Sequence, residues 1–208
     1  MKDYKLYIFD LDGTTVDSTE CFKHCYEAAF EACGLTINDS YNINYVILNV
    51  EEVYNQIKDI TKVSSSQEKF YGAFVKNISP TFIKYGTFFK DVKNVFGILK
   101  SKNALITIFT NRVSKEIKGL LKAHPEINEY INSYVGADMV KNPKPSPDGL
   151  IKILEKYEIE KEDAIFIGDG RGDYESSKTA GIDFFYIDRY NIKELPLEQH
   201  TTLEDLIK

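Results

Sequence analysis

The chain has 208 residues, is 43% apolar, and carries 32 acidic against 26 basic side chains, for a formal charge of −6 at neutral pH. That length and composition suit one substantial core, or a core domain carrying a smaller insert, and argue against disorder. The acidic balance leaves no basic footprint for nucleic acid, so any anionic ligand must be held by local charge.

The opening stretch MKDYKLYIFD contains an apolar run far shorter than a signal-peptide core, and no later run reaches membrane-spanning length. A cytoplasmic protein with no membrane partner is expected. The run KLYIF, residues 5–9, predicts a first buried strand. The helix after it should open at Asp17 or Ser18, where Asp17 and Glu20 have capping-box spacing, and should stop at Gly34. Cys21, Cys25 and Cys33 fall within that helix; three thiols make neither a disulfide framework nor a paired zinc spacing. His24 and Cys25 would point about 100° apart on the helix, so reduced thiols packed in a core are expected.

Two further helical patterns follow, NYVILNVEEVYNQIKDI and SSSQEKFYGAFVKNISPTFIKYG, separated by the polar break TKVSSS. The segment NYVILNV reads equally well as a strand. Phe70, Tyr71 and Phe74 form a stripe expected to be core, while Lys23, Lys58, Lys69, Lys76 and Lys84 are expected on a solvated face. Across about 90 residues no convincing strand partner for the first strand emerges, so residues 17–87 read as a helical insert. Beyond it come four more strand-like runs, ALITIF (104–109), SYVGA (133–137), AIFIG (164–168) and DFFYI (183–187), with helical patterns starting at Ser114 and Ser146. Ser146 followed by Pro147 predicts an N-cap and first-turn pair. Strands alternating with helices imply an α/β fold with a parallel sheet, the core comprising residues 1–16 and 88–208.

In such a sheet ligands bind beyond the carboxyl ends of the strands, and charge collects there in this sequence. After the first strand come Asp10 and Asp12, followed by Gly13 and Thr14. Two carboxylates so placed repel each other, and a hard divalent cation with oxygen ligands is the natural compensation. Gly13 lets the chain turn away, and the Thr14 hydroxyl with nearby amides offers donors to an anion. Thr110, Asn111 and Arg112 follow the second run. Lys144 sits in the proline-restricted KNPKPSP, and Asp169, Arg171 and Asp173 lie in GDGRGD. Each piece alone has a simpler account as a turn, a helix cap or a solvated loop. Arg112 and Arg171 are each open to a substrate contact or a solvated position.

Taken together, DLDGT (10–14), TN (110–111), KPSP with Lys144 and GDGRGD with Asp169 and Asp173 resemble the four motifs of the haloacid dehalogenase-like superfamily. The helical insert resembles that superfamily's first type of cap. The resemblance implies a Rossmann-like core, Mg²⁺ as cofactor, and a small phosphorylated metabolite as substrate. It assigns Asp10 as the nucleophile that forms an aspartyl-phosphate and Asp12 as general acid and then base. Mg²⁺ would be held by Asp10, the Asp12 carbonyl and Asp169, while Lys144 neutralises charge as the phosphoryl group transfers. Thr110, Asn111 and the Gly13 turn would bind the phosphoryl oxygens, and Asp173 would act indirectly, by orienting Lys144 or through water. The superfamily's dehalogenases lack the second acid of the first motif, so Asp12 argues against carbon–halogen chemistry. Its mutase branch usually has a His early in the first cap helix, where this chain has Phe22, with His24 two positions later. Phosphoglycolate-like compounds, sugar phosphates, nucleoside monophosphates and pyrophosphate remain open as substrates; a mutase or a phosphometabolite-binding protein is the alternative.

Overall fold

The computed structural model describes residues 2–36, 50–61 and 66–208. In chain order the elements are β1 (Leu6–Phe9), β2 (Val16–Asp17), α1 (Thr19–Ala32), α2 (Val50–Thr61), α3 (Gln67–Tyr85), β3 (Thr87–Phe88), α4 (Val92–Ser101), β4 (Leu105–Phe109), α5 (Ser114–Ala123), α6 (Pro125–Asn128), β5 (Ser133–Val135), α7 (Asp148–Tyr157), β6 (Ala164–Gly168), α8 (Arg171–Ala180) and β7 (Asp183–Tyr186). Two compact units result, one formed by Met1–Asp17 with Thr87–Lys208, the other by Ser18–Gly86. No helix of the described residues is long and apolar enough to cross a membrane.

The larger unit holds a parallel five-stranded sheet in the order β5-β4-β1-β6-β7. All five strand-like runs of the sequence are strands of this sheet. Strands β1 and β6 are buried along their whole length, which is why they read as unbroken apolar runs rather than alternating ones. Leu6, Ile8, Phe109 and Phe166 point to one face and pack with Leu150 and Ile153 of α7. The opposite face meets α4, with the Phe9 and Phe96 rings 4.9 Å apart. Each such fully buried side chain contributes about 1.5–3 kcal/mol by leaving water, so the sheet has a rigid base on which to position polar groups. A separate two-stranded ribbon pairs β2 antiparallel with β3.

The smaller unit is built on α1 packed along α3. Its core is aromatic: Tyr26, Phe30, Phe70 and Phe74 are buried with Cys25, Ala29, Val53 and Tyr54. The ring pairs Tyr26–Phe74 and Phe30–Phe70 lie 4.8 and 4.9 Å apart. The stripe expected to be core is therefore core at Phe70 and Phe74, with Tyr71 half-buried. Lys58, Lys69, Lys76 and Lys84 are exposed, as expected of a solvated face. Cys21 and Cys25 are buried and Cys33 is half-buried, none of them in a disulfide. Helix α1 ends as the sequence implies, with Gly34 at φ +78° and the Leu35 amide bonding back to the Phe30 carbonyl at 2.9 Å. The strand-or-helix question over NYVILNV lies outside the described residues up to Asn49, as do residues 62–65 of the polar break.

Two capping expectations are corrected. Ser18 occupies the N-cap of α1 without a side-chain cap bond, and the Asp17 carboxylate accepts from the Tyr190 hydroxyl at 3.0 Å. Helix α7 starts at Asp148, one residue past the Ser-Pro pair, and the Ser146 hydroxyl donates to the Asp148 carboxylate at 2.5 Å. The Ser146 hydroxyl also accepts from the Asp148 amide, at 3.4 Å, so it keeps a weak bond to the first turn.

Candidate active site

Strands β4, β1 and β6 are adjacent, and each ends in a polar residue: Thr110 after β4, Asp10 after β1 and Asp169 after β6. From β1 the chain builds outward through β4 and β5, then returns to β6 on the other side of β1. The strand order therefore reverses at β1, and the crevice opens at its carboxyl end.

The loop after β1 is tightly wound. The amides of Thr14, Thr15 and Val16 all donate to the Leu11 carbonyl, and the Thr15 hydroxyl donates to the Asp10 carbonyl at 2.8 Å. Gly13 sits at φ +74°, and a Cβ there would lie 2.2 Å from Oδ2 of Asp169. Both the backbone conformation and the closeness of Asp169 require glycine. The Thr14 hydroxyl donates to Asp169 Oδ1 at 2.8 Å, so it holds a carboxylate instead of facing an anion as expected.

Lys144 is the hub. Its side chain is only 7% exposed, and Nζ donates to Asp10 Oδ1 and to Asp173 Oδ1, each at 2.6 Å. Asn111 fixes the backbone that carries it. The Lys144 amide donates to Asn111 Oδ1 at 3.0 Å, and Asn111 Nδ2 donates to the Lys144 carbonyl at 3.1 Å. Asn111, which the resemblance puts on the phosphoryl oxygens, is exposed, and its amide also grips the lysine loop. Asp173 reaches Lys144 from the first turn of α8, with Oδ2 accepting from the Gly170 amide at 3.0 Å. Thr110 is buried, and its hydroxyl accepts from the Arg112 amide at 3.2 Å. Arg171 is exposed at the first position of α8.

The charge balance of this cluster is incomplete. Burial pushes the Asp10 carboxyl up; Lys144 pulls it down, while Asp173 and Asp12 add to the rise, leaving it at about 7. Asp169 is raised well above the usual carboxylate range by burial, then by Asp173 and Asp10. Burial works to lower the Lys144 ammonium, but Asp10 and Asp173 outweigh it and hold the group above an ordinary lysine. One ammonium thus serves two buried acids, Asp10 and Asp173, and the half-buried Asp169. Asp10, Asp169 and Asp173 each offer an oxygen, and these oxygens lie within 4.8 Å of one another. An all-oxygen donor set short of positive charge fits a hard divalent cation.

Asp12 is not one of those three acids, although its charge adds to the rise of Asp10. Its two oxygens accept from Nε and Nη2 of Arg112, at 2.8 and 2.7 Å. The guanidinium is buried, so the solvated position open for Arg112 in the sequence does not describe it.

A family model for haloacid dehalogenase-like hydrolases matches residues 7–187. The chain belongs to the haloacid dehalogenase-like hydrolase family. Within the family its sequence is phosphatase-like. It is 28% identical over 201 residues to the phosphoglycolate phosphatase of Escherichia coli K12, spanning 86% of this chain and 79% of that one. It is 25% identical over 188 residues to the phosphoglycolate phosphatase of Vibrio cholerae, spanning 87% and 83% of the two chains. Among solved structures, a HAD-superfamily hydrolase of subfamily IA from Geobacter sulfurreducens superposes with a TM-score of 0.74 at 23% identity, over 98% of this chain and 95% of that one. A provisionally assigned β-phosphoglucomutase from Thermotoga maritima gives 0.70 at 20% identity, over 97% and 90%. These two likenesses show the fold.

In this member of the family, sequence reading missed a support behind the first loop. Arg189 donates through Nε and Nη2 to the Thr14 carbonyl at 3.1 and 3.0 Å, and forms a bidentate pair with Asp91 at 2.7 and 3.0 Å. Asp91 also accepts from the Thr202 hydroxyl and the Leu203 amide, at 2.9 and 2.8 Å. Arg189 and Asp91 are 98 residues apart and belong to no local motif, so no spacing signal could have linked them.

Proposed function

We propose that this hydrolase is a magnesium-dependent phosphomonoesterase acting on a small phosphorylated metabolite through an aspartyl-phosphate on Asp10, with phosphoglycolate the first substrate to test. The observation that carries the reading is the Lys144 ammonium held between Asp10 and Asp173 beside Asp169, at the strand ends where the sheet order reverses. The similarity to phosphoglycolate phosphatases supports the choice of ester.

Asp10 supplies the attacking oxygen, and Lys144 fixes its orientation through the 2.6 Å bond. A phosphate dianion approaching a carboxylate is repelled, so the ammonium lowers the barrier by meeting both partners as charge shifts. A divalent cation bound by Asp10, Asp169 and the Asp12 carbonyl would neutralise the remaining charge and favour the ionised nucleophile. The Thr110 hydroxyl, at the end of β4, donates to a phosphoryl oxygen. Asn111 and Asp173 keep Lys144 in place, one through its backbone and one through its ammonium. Asp12 delivers a proton to the leaving oxygen and later takes one from the water that releases phosphate. We assign residues 17–87 as the substrate-selecting cap and the remainder as the catalytic core. Three cysteines that form no disulfide support a cytoplasmic setting.

The mutase alternative gains nothing from His24, whose ring stacks on Tyr85 at 4.1 Å and whose Nδ1 meets Glu27 at 2.8 Å. The deciding experiment measures phosphate release with Mg²⁺ from phosphoglycolate, sugar phosphates, nucleoside monophosphates and pyrophosphate, beside Asp10→Asn and EDTA controls. Selective release abolished in both controls is expected. An isomerised sugar phosphate without free phosphate would establish the mutase, and no turnover of any compound would leave a binding protein.

A further inference from the structure

Arg112 is not one of the four motif residues that face the reacting centre, yet it is held more firmly than a surface arginine would be. Its side chain is 9% exposed. Its amide donates to the Thr110 hydroxyl at 3.2 Å, and its carbonyl accepts from the Ala137 amide at 3.0 Å. One turn further along α5, the Glu116 carboxylate, 6% exposed, lies 3.7 Å from Nη1. The opposite edge of the guanidinium meets Asp12 with two nearly equal bonds, 2.8 and 2.7 Å, in the fork geometry that matches a carboxylate. Asp12 itself is 27% exposed and sits in a loop.

We propose that Arg112, anchored by Glu116, is the positioning residue of Asp12 and holds the acid–base carboxyl in the orientation needed for proton transfer with the ester oxygen. The proposal rests on the phosphatase reading above. In the first half-reaction an Asp10 oxygen forms a bond to phosphorus while the bond from phosphorus to the ester oxygen breaks. The ester oxygen keeps the bonding pair and takes the proton of the Asp12 carboxyl, which becomes a carboxylate facing the guanidinium. In the second half-reaction a water oxygen bonds to phosphorus, Asp12 receives the water proton, and the Asp10 carboxylate leaves with its electron pair. In both halves the charge on Asp12 changes next to the Arg112 guanidinium.

Orientation of the acid matters most when the leaving group is a weakly acidic alcohol and least when it is a nitrophenolate, which departs without a proton. The experiment is therefore kcat/KM for wild type, Arg112→Met, Arg112→Lys and Glu116→Gln on p-nitrophenyl phosphate, phenyl phosphate and an alkyl phosphate, with thermal melts to verify folding. Arg112→Met should lose about 10- to 100-fold more on the alkyl ester than on the nitrophenyl ester, a part of the roughly 10²–10⁴-fold that general acid catalysis supplies. Arg112→Lys keeps the charge but cannot bond both oxygens as a fork, and should fall between Arg112→Met and wild type. Glu116→Gln should show a smaller loss with the same bias. An equal loss on all three esters, or none, in a folded Arg112→Lys variant would overturn the proposal. A wild-type protein that turns over none of the three esters would remove the phosphatase reading and this proposal with it, a result distinct from an active wild type with unbiased variants.

Discussion

Magnesium should stabilise this protein strongly near neutral pH and barely at all in mild acid. The perturbation is the cation, added to metal-free protein. Asp10 has its carboxyl raised from 3.8 to about 7 in the folded state. A displacement of about three units corresponds to about 4 kcal/mol between the two protonation states. Between about pH 4 and pH 7 the native state then binds more protons than the unfolded chain, so this group makes metal-free stability fall as pH rises through that window. Asp169 is shifted in the same direction. Above the window the carboxylates are ionised and under-compensated, and a cation at about 100 times its dissociation constant adds about 2.7 kcal/mol. For a chain of this size that is roughly 5–11 °C in Tm. At about pH 5 the cation must first displace a proton from Asp10. Two units below its pKa the apparent affinity is about 100-fold weaker, and the same cation concentration yields only about 0.4 kcal/mol, roughly 1 °C. Differential scanning fluorimetry with and without MgCl₂ at the two pH values measures both shifts, with Asp169→Asn as a variant expected to lose the neutral-pH response. Equal shifts at both pH values, or a full response in Asp169→Asn, would refute this account of the acid cluster.

Gly13→Ala should abolish the magnesium response and the activity while leaving a folded core, because the added Cβ would land 2.2 Å from Asp169 Oδ2 and the φ of +74° is strained for alanine; titration of Mg²⁺ by calorimetry checks it. Asn111→Ala removes both side-chain bonds to the Lys144 backbone and should cost about 1–2 kcal/mol in urea unfolding, with kcat falling more than KM rises. Lys144→Met leaves Asp10 and Asp173 buried without their ammonium; breaking such a pair costs about 3–5 kcal/mol, so the metal-free variant should melt well below wild type at neutral pH and recover part of the loss in mild acid, where the carboxyls are protonated. Arg189→Met frees the Thr14 carbonyl and leaves Asp91 without its guanidinium. It should lower Tm and weaken the magnesium response together, read in the same fluorimetry.

Much of the molecule was legible without coordinates, because its information is local. A buried parallel strand must be apolar on both faces, so KLYIF and AIFIG identify themselves as strands. Polar residues that follow such runs must lie at the sheet's edge, which placed Asp10, Thr110 and Asp169 together before any distance was known. The Gly34 stop is also local chemistry, since only a residue tolerant of positive φ closes that helix cheaply.

What tertiary structure decided were the pairings between distant groups. Which partner a polar side chain chooses depends on every neighbour within a few ångströms, and sequence order does not encode that list. Thr14 turned to Asp169, Asn111 to the Lys144 backbone, and Arg112 to Asp12 across 100 positions of chain. The Arg189–Asp91 clamp behind the first loop is of the same kind. The weakened acidity of Asp10 and Asp169 follows from burial and from neighbouring carboxylate charge, and neither cause exists until the strand ends have been brought side by side.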